Sequence, residues 1–207
     1  MGVILQWRHK LRWLLGRGWS AQDFAARYAA GGADAWGYRS SPQHLARAEF
    51  ILAALPAERF AEALEVGCAQ GFLSERLATR VGRLTACDIS PEAIARAKQA
   101  GLPNVEFRVA DIRRGFPGEA FDFCLFSDVL YYLAPREIDA VLDEAARKTR
   151  AGGCLVVVNE WRAGAKGLTS PQYSFARLDG GKDWRRTDAR RAPFGAAELS
   201  LAVYRRM

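Results

Sequence analysis

The sequence predicts a doubly wound α/β domain: a mostly parallel, seven-stranded sheet with an antiparallel last strand. Three observations predict it. Short apolar runs alternate with helical segments from Ala61 to Val158, as in βα units feeding a parallel sheet. The first run leads into a glycine-bearing turn and then a helix. The last two strand-like runs are joined only by Ala192-Pro193-Phe194-Gly195, too short a joint for a helical crossover, so they pair antiparallel.

The elements follow in order. Residues 3–19, VILQWRHKLRWLLGRGW, set Ile4, Leu5, Trp7, Leu11 and Leu15 among Arg8, Lys10, Arg12 and Arg17, the pattern of a basic amphipathic helix. Such a helix packs on its own domain or closes over a pocket; peripheral membrane contact through residues 1–20 is the other use. Gly31-Gly32 and Gly37 break the next stretch, and residues 1–40 read as a cover segment ahead of a domain over 41–207. Ser41-Pro42 opens a helix to Leu55, because proline suits the first helical position, with Leu45, Ala48, Ile51, Leu52 and Leu55 inward. Strand 63–66 is followed by a helix over 72–79, and strand 83–88 by a helix to Ala100, with Ser90 as N-cap. Residues 104–111 alternate with period two and end in Asp111. Residues 121–127 are largely apolar, as a strand covered on both faces must be. A helix over 136–150 turns Ile138, Val141, Leu142 and Ala145 inward and stops at Ala151-Gly152-Gly153 before strand 154–158. Ser170-Pro171 opens a short helix ended by Gly180-Gly181, and strands 184–191 and 198–206 close the sheet.

Composition bounds the function. Half of the 207 residues are apolar and 26% are charged, which is globular composition. No apolar run approaches the roughly 20 residues of a spanning helix, and the first fifteen residues lack a secretory cleavage pattern. The four cysteines form no C-x-x-C pair, which excludes zinc ribbons and thioredoxin-type redox motifs and fits a reducing cytoplasm. Formal charge is +4 over residues 1–60, −3 over 61–160 and +6 over 161–207. Basic ends could meet phosphate, anionic lipid or an acidic substrate. No RNA-binding signature with interleaved aromatics accompanies them, so a nucleic acid partner is not expected.

The chemistry gathers at strand ends. In LEVGCAQGF (64–72), Gly67 permits backbone angles that a side chain forbids, and Gly71 permits close approach. Glu65 ends the first strand beside this turn. It would repel the pyrophosphate of a dinucleotide, whereas a cofactor with a cationic amine and sulfonium welcomes it. Asp88 closes the second strand and can take both hydroxyls of a ribose. Asp111 closes the third and can accept from an exocyclic adenine amine, with Ile112 beside the ring. Three acids and a glycine turn thus converge on the crevice where open α/β sheets bind ligands.

Together these residues resemble the class I S-adenosylmethionine-dependent methyltransferases, over about residues 41–207 and including the antiparallel last strand of that Rossmann-like fold. Ala69 stands where the family motif usually carries a central glycine. The resemblance implies S-adenosyl-L-methionine as cofactor, with Glu65, Gly67 and Gly71 on its methionine part, Asp88 and Ile89 at the ribose, and Asp111 and Ile112 at the adenine. More narrowly, WGYRSSP (36–42), LEVGCAQGFLSERLA (64–78) and FDFCLFSDVLYYL (121–133) resemble the NodS-like, nodulation-type N-methyltransferases. Those act on the amine of a chitin-derived oligosaccharide.

The segment SDVLYYL (127–133) follows the fourth strand, where the reacting methyl should point. Ser127, Asp128, Tyr131 and Tyr132 are the candidates there: Ser127 beside the cofactor, Asp128, Tyr131 and Tyr132 toward the acceptor. Asp128 could orient or deprotonate an amine; alternatively it caps a turn while the tyrosines pack. Arg39, with Tyr28 and Trp36 in the cover segment, could bind the cofactor carboxylate. His44 could reach a ligand, though a lone histidine is more often structural. Asp128, Asn159 and Glu160 could meet a hard cation, but the wider motifs of metal-dependent methyltransferases do not match, so no metal is expected.

The expected activity is methyl transfer to nitrogen or oxygen of a small polar acceptor, an amino sugar or glycolipid precursor among the choices. An RNA or protein methyltransferase is disfavoured because SDVLY stands where an N/D-P-P-Y motif would follow the fourth strand. Glu65 and the antiparallel tail argue against a nicotinamide oxidoreductase. Two histidines are too few for ready assembly of a Ser-His-Asp triad. A non-catalytic binding module has no physical need for Glu65, Asp88 and Asp111 together.

Overall fold

The computed structural model describes residues 18–31, 34–161 and 169–207. Its strands are β1 (Phe60–Val66), β2 (Val81–Asp88), β3 (Val105–Val109), β4 (Phe121–Ser127), β5 (Thr149–Trp161), β6 (Trp184–Phe194) and β7 (Ala197–Arg206). Its helices are α1 (Ala21–Gly31), α2 (Pro42–Leu52), α3 (Phe72–Leu77), α4 (Pro91–Ala97), α5 (Pro135–Lys148) and α6 (Pro171–Asp179). The seven strands form one sheet in the order β3-β2-β1-β4-β5-β7-β6. β1 to β5 pair in parallel, and β7 lies antiparallel between β5 and β6. The expected basic helix over 3–19 falls outside the described residues up to position 17.

The central strands are apolar because both faces are covered. One face carries Ala63, Leu84, Ala86, Phe123, Leu125 and Val156 against Ala48 and Ile51 of α2, Phe72 and Leu77 of α3, and Ile94 and Ala97 of α4. The other carries Leu64, Val66, Phe126, Leu155 and Val157 against Ile138, Val141, Leu142 and Ala145 of α5 and Leu178 of α6. Each fully buried Leu or Phe in these layers contributes roughly 2 kcal/mol of transfer free energy. The four cysteines are free and buried.

Proline at the first turn opens α2, α4, α5 and α6, and the Ser90 hydroxyl accepts from the Ala93 N–H as expected of an N-cap. Two local expectations need correction. α2 ends at Leu52 rather than Leu55, and its inward stripe is Arg47, Ala48 and Ile51. Leu45, expected inside, is 44% exposed. The arginine can take an inward position because a carboxylate on β4's tip meets it there. α5 stops at Lys148, and β5 begins at Thr149 with a register slip against β4 between Phe121 and Phe123; the glycines at 152–153 lie within the strand instead of ahead of it.

Candidate active site

Strand order reverses between β1 and β4, and the carboxyl ends of these strands open on a cavity of about 470 Å³. Connections that leave a sheet in opposite directions part at such a point and leave a crevice. Gly67 lines its floor with a φ of +76°. A Cβ there would stand 2.2 Å from Val129 Cγ2, so the turn admits only glycine. Ala69 also lines the floor and holds a φ of +49°, a left-handed conformation that costs an L-residue about 1–2 kcal/mol. Its N–H donates to Asp88 Oδ2 at 3.0 Å, which fixes the strained turn to the end of β2.

Asp88 also accepts from the Ser90 N–H through Oδ1 at 2.9 Å. Each carboxylate oxygen therefore takes one of these bonds, and the Ile89 N–H adds a third, smaller one, which leaves one acceptor site open and one shared for two vicinal hydroxyls. Burial pushes this carboxyl up to about 6. Asp111 caps the turn after β3 and faces the cavity. Its Oδ1 accepts from Arg113 N at 3.1 Å and Nε at 2.7 Å, and its Oδ2 from Nη2 at 2.7 Å. Burial raises its pKa, but the Arg113 bonds outweigh that and hold it below the usual carboxylate range. Ile89 and Ile112 line the same end of the cavity.

Ser127 and Asp128 line it at the tip of β4. Asp128 adopts a φ of +57°. Its Oδ1 accepts from the Glu160 N–H at 2.6 Å, and Oδ2 pairs with Arg47, which also donates to Ser127 Oγ at 2.6 Å. Both oxygens of Asp128 are thus engaged by protein groups. Tyr131 and Tyr132 line the cavity beyond it. Tyr132 joins Trp19 and Phe24 in a ring cluster, with centroids 4.8 Å and 5.1 Å away. Burial and the Asp128 charge push the Tyr132 hydroxyl up to about 12, and burial lifts Tyr131 well above the usual phenol range. Both phenols stay protonated, and their hydroxyls hydrogen-bond each other.

Several residues fall elsewhere than expected. Glu65 is 2% exposed behind the turn, with Ser74 Oγ donating to it at 2.5 Å. It lines a small neighbouring cavity with Arg47, His44 and Ser127 rather than the main one. Burial pushes it up to about 7. Gly71 packs rather than binds: a Cβ there would stand 3.2 Å from Ala97 Cβ and 3.3 Å from Phe107. Arg39 is 49% exposed, pairs with Glu75 and does not line the cavity. Tyr28, Trp36 and His44 do line it. Asn159 is fully buried and does not line the cavity, whereas Glu160 does. Among the described residues no His, Cys, Asp and Glu group could hold a metal ion.

Sequence reasoning missed Arg47, Arg113 and Phe194. Positions 44, 47, 48 and 51 share one helical stripe, and this spacing could have drawn Arg47 inward with Ile51. Arg113 and Phe194 carried no such signal, since their roles depend on tertiary partners.

Residues 64–157 match a methyltransferase domain family. The chain is 35% identical over 127 residues to nodulation protein S of Rhizobium tropici, covering 59% of this chain and 53% of that protein. It is 34% identical over 127 residues to a phosphatidylethanolamine N-methyltransferase of Cereibacter sphaeroides, covering 58% and 61% respectively. The alignments thus span between half and two thirds of these two curated relatives. The crystal structure of the N-methyltransferase NodS from Bradyrhizobium japonicum WM9 in complex with S-adenosyl-L-homocysteine superposes with a TM-score of 0.79 at 24% identity, covering 90% of this chain and 97% of that one. The seven-stranded mixed sheet is the fold of that structure.

Proposed function

We propose that this chain is a NodS-like class I S-adenosylmethionine-dependent methyltransferase that moves a methyl group from S-adenosyl-L-methionine to the nitrogen of a small polar acceptor. One observation carries the reading: Gly67, Asp88, Asp111 and the Ser127–Asp128 tip share one cavity of about 470 Å³ at the strand-order reversal. The donor set fits the cofactor. Asp88 presents both carboxylate oxygens to the ribose hydroxyls, and Asp111 with Ile112 offers an acceptor and an apolar flank to a purine. Ionised acids around the cavity favour a cationic ligand.

When bound, the cofactor supplies an electrophilic methyl on a sulfonium with a neutral leaving group. The chain's own residues then position and dry the acceptor. Trp19, Phe24 and Tyr132 form an apolar wall that excludes water. The hydrogen-bonded Tyr131–Tyr132 pair offers one O–H donor to the acceptor. Asp128, committed to Arg47 and the Glu160 N–H, holds the β4 tip in place and sets the field there; a dedicated base is not needed for an amine that arrives neutral. Gly67 and Gly71 act as floor and packing, and Glu65 acts through its charge from behind the turn.

Nitrogen is favoured over oxygen because a phosphatidylethanolamine N-methyltransferase and the N-methyltransferase NodS are among the proteins this chain is similar to. An amino sugar or a glycolipid precursor fits an aromatic wall rimmed by hydrogen-bonding groups. A cover role for the segment ahead of the domain at 41–207 is supported by Trp19, Phe24, Tyr28, Trp36 and Tyr38, which line the cavity. The four buried free thiols support a cytoplasmic setting, and no described helix is long and apolar enough to cross a membrane. Co-sedimentation of full-length and truncated protein with anionic liposomes tests a surface role for residues 1–20.

The test of the function is calorimetric titration with S-adenosyl-L-methionine, followed by transfer of a labelled methyl to a panel of amino sugars and aminolipids. Micromolar binding and label in the amine fraction are expected. Absence of binding at high micromolar cofactor sinks the reading in favour of a non-catalytic module. Label in added RNA or protein, with none in small amines, moves the acceptor to a macromolecule.

A further inference from the structure

Arg113 joins the two ends of the cavity. Its guanidinium carries five N–H donors, and four of them are engaged in this fold. Nε and Nη2 donate to Asp111 Oδ1 and Oδ2, each at 2.7 Å. Nη1 donates to the Trp19 carbonyl at 3.1 Å and to Glu137 Oε1 at 3.4 Å. Glu137 in turn accepts at Oε2 from the N–H groups of Gly18 and Ala134, both at 2.9 Å. The Trp19 N–H donates to the Tyr132 carbonyl at 2.8 Å.

The chain of contacts is therefore continuous from Asp111, at the purine end, to Trp19 and Tyr132, at the acceptor end. The docking of residues 18–19 is close. A Cβ on Gly18 would stand 2.3 Å from the Tyr132 carbonyl and 2.7 Å from Glu137 Oε2. Arg113 is 19% exposed, so these bonds are partly shielded and charge-assisted, which makes them stronger than neutral ones. Oδ1 of Asp111 accepts two bonds and Oδ2 one, which leaves Oδ2 a single site for a donor from the cavity.

We propose that Arg113 is a positioning residue that couples occupancy of the purine end to the seating of the Trp19–Phe24 wall around the acceptor. The inference rests on the function proposed above. A purine amine that donates to Oδ2 shares the carboxylate with Arg113 and orients the guanidinium. Arg113 then holds the Trp19 carbonyl and Glu137, and through them the start of α1. The Arg113 guanidinium bonds to both Asp111 and the Trp19 carbonyl and so links the two.

The experiment uses the full chain and S-adenosyl-L-homocysteine as probe. Calorimetry measures binding, and amide hydrogen exchange over residues 18–28 measures seating of the wall. In the parent, the probe should slow exchange there by about tenfold or more. Arg113→Gln should still bind the probe within a few-fold of the parent yet lose that slowing. Arg113→Lys retains charge and one contact, guards against misfolding, and should recover part of it. Equal slowing in Arg113→Gln and the parent overturns the proposal, as does a parent that binds the probe with no slowing over 18–28. A parent that does not bind the probe at all overturns the methyltransferase reading itself.

Discussion

Arg47 of α2 and Asp128 at the tip of β4 form an ion pair with side-chain exposures of only 6% and 12%. The same arginine donates to Ser127, and the same aspartate accepts from the Glu160 N–H. One pair thus ties a helix from before the sheet to the ends of two neighbouring strands, at the place where the acceptor would sit.

Breaking that pair from either side should be costly. Arg47→Ala leaves a carboxylate with little water around it, and loss of one partner of a buried pair typically costs about 3–5 kcal/mol. Asp128→Asn keeps the left-handed backbone, which asparagine tolerates, and keeps the bond from Glu160, so it isolates the charge. Urea unfolding should show Arg47→Met and Asp128→Asn each destabilising by about 2 kcal/mol or more. The double variant should lose clearly less than their sum. Additive losses would mean that the pair contributes nothing as a pair.

Acidity at the crevice should make stability and ligand affinity run in opposite directions with pH. Burial raises Glu65 to about 7 and Asp88 to about 6, both above their unfolded values of 4.5 and 3.8. Folded protein therefore holds protons that unfolded chain has released, so their contribution to stability is full below pH 4 and is lost as pH rises to about 7. A cationic ligand prefers the ionised acids. Affinity for S-adenosyl-L-methionine should rise by up to about tenfold per pH unit between pH 5 and 6, where Asp88 still titrates, and level off above 7. Calorimetry across pH 5–8 checks the slope, and Glu65→Gln should flatten its upper part. A flat profile in the parent would remove the acids from the binding account.

The strand-and-helix order was legible because each βα unit carries its own local signals: proline or serine at helix starts, and unbroken apolar runs where two layers cover a strand. The gathering of Asp88 and Asp111 at one cavity was legible because topology brings the tips of adjacent parallel strands together. Arg39 and Arg47 show the limit. Both lie near the cover, and only tertiary partners distinguish them: Glu75 draws Arg39 outward, while Asp128 makes an inward Arg47 affordable. Glu65 was placed beside the cofactor from its neighbours in sequence, yet strand alternation turns its side chain to the face that Ser74 closes.

Ala69 is a residue where the chain departs from easy backbone chemistry. At a φ of +49°, Ala69→Gly should relieve strain of about 1–2 kcal/mol against a loss of roughly 0.4–1 kcal/mol through the freer unfolded chain. Net stabilisation of about 0.5–1 kcal/mol is expected by thermal unfolding. Gly67→Ala has the opposite sign, because the new Cβ would overlap Val129 at 2.2 Å, and it should abolish cofactor binding before it unfolds the protein.

Asp88 and Asp111 should not weigh equally in cofactor binding, although both end strands beside the cavity. Asp88 accepts from the Ala69 and Ser90 N–H groups on separate oxygens, with a smaller bond from the Ile89 N–H, so each of its two oxygens still presents a side to one ribose hydroxyl. Asp111 has committed three of its four sites to Arg113. Hydrogen bonds to a charged group are worth about 1.5–3 kcal/mol each, so Asp88→Ala forfeits two and should weaken cofactor binding by at least about a hundredfold. Asp111→Ala forfeits one and should weaken it by about tenfold to a hundredfold. Titration of S-adenosyl-L-homocysteine into both variants checks the order. Losses equal in size, or larger for Asp111, would show that the lone pairs counted here are not the ones the nucleoside uses.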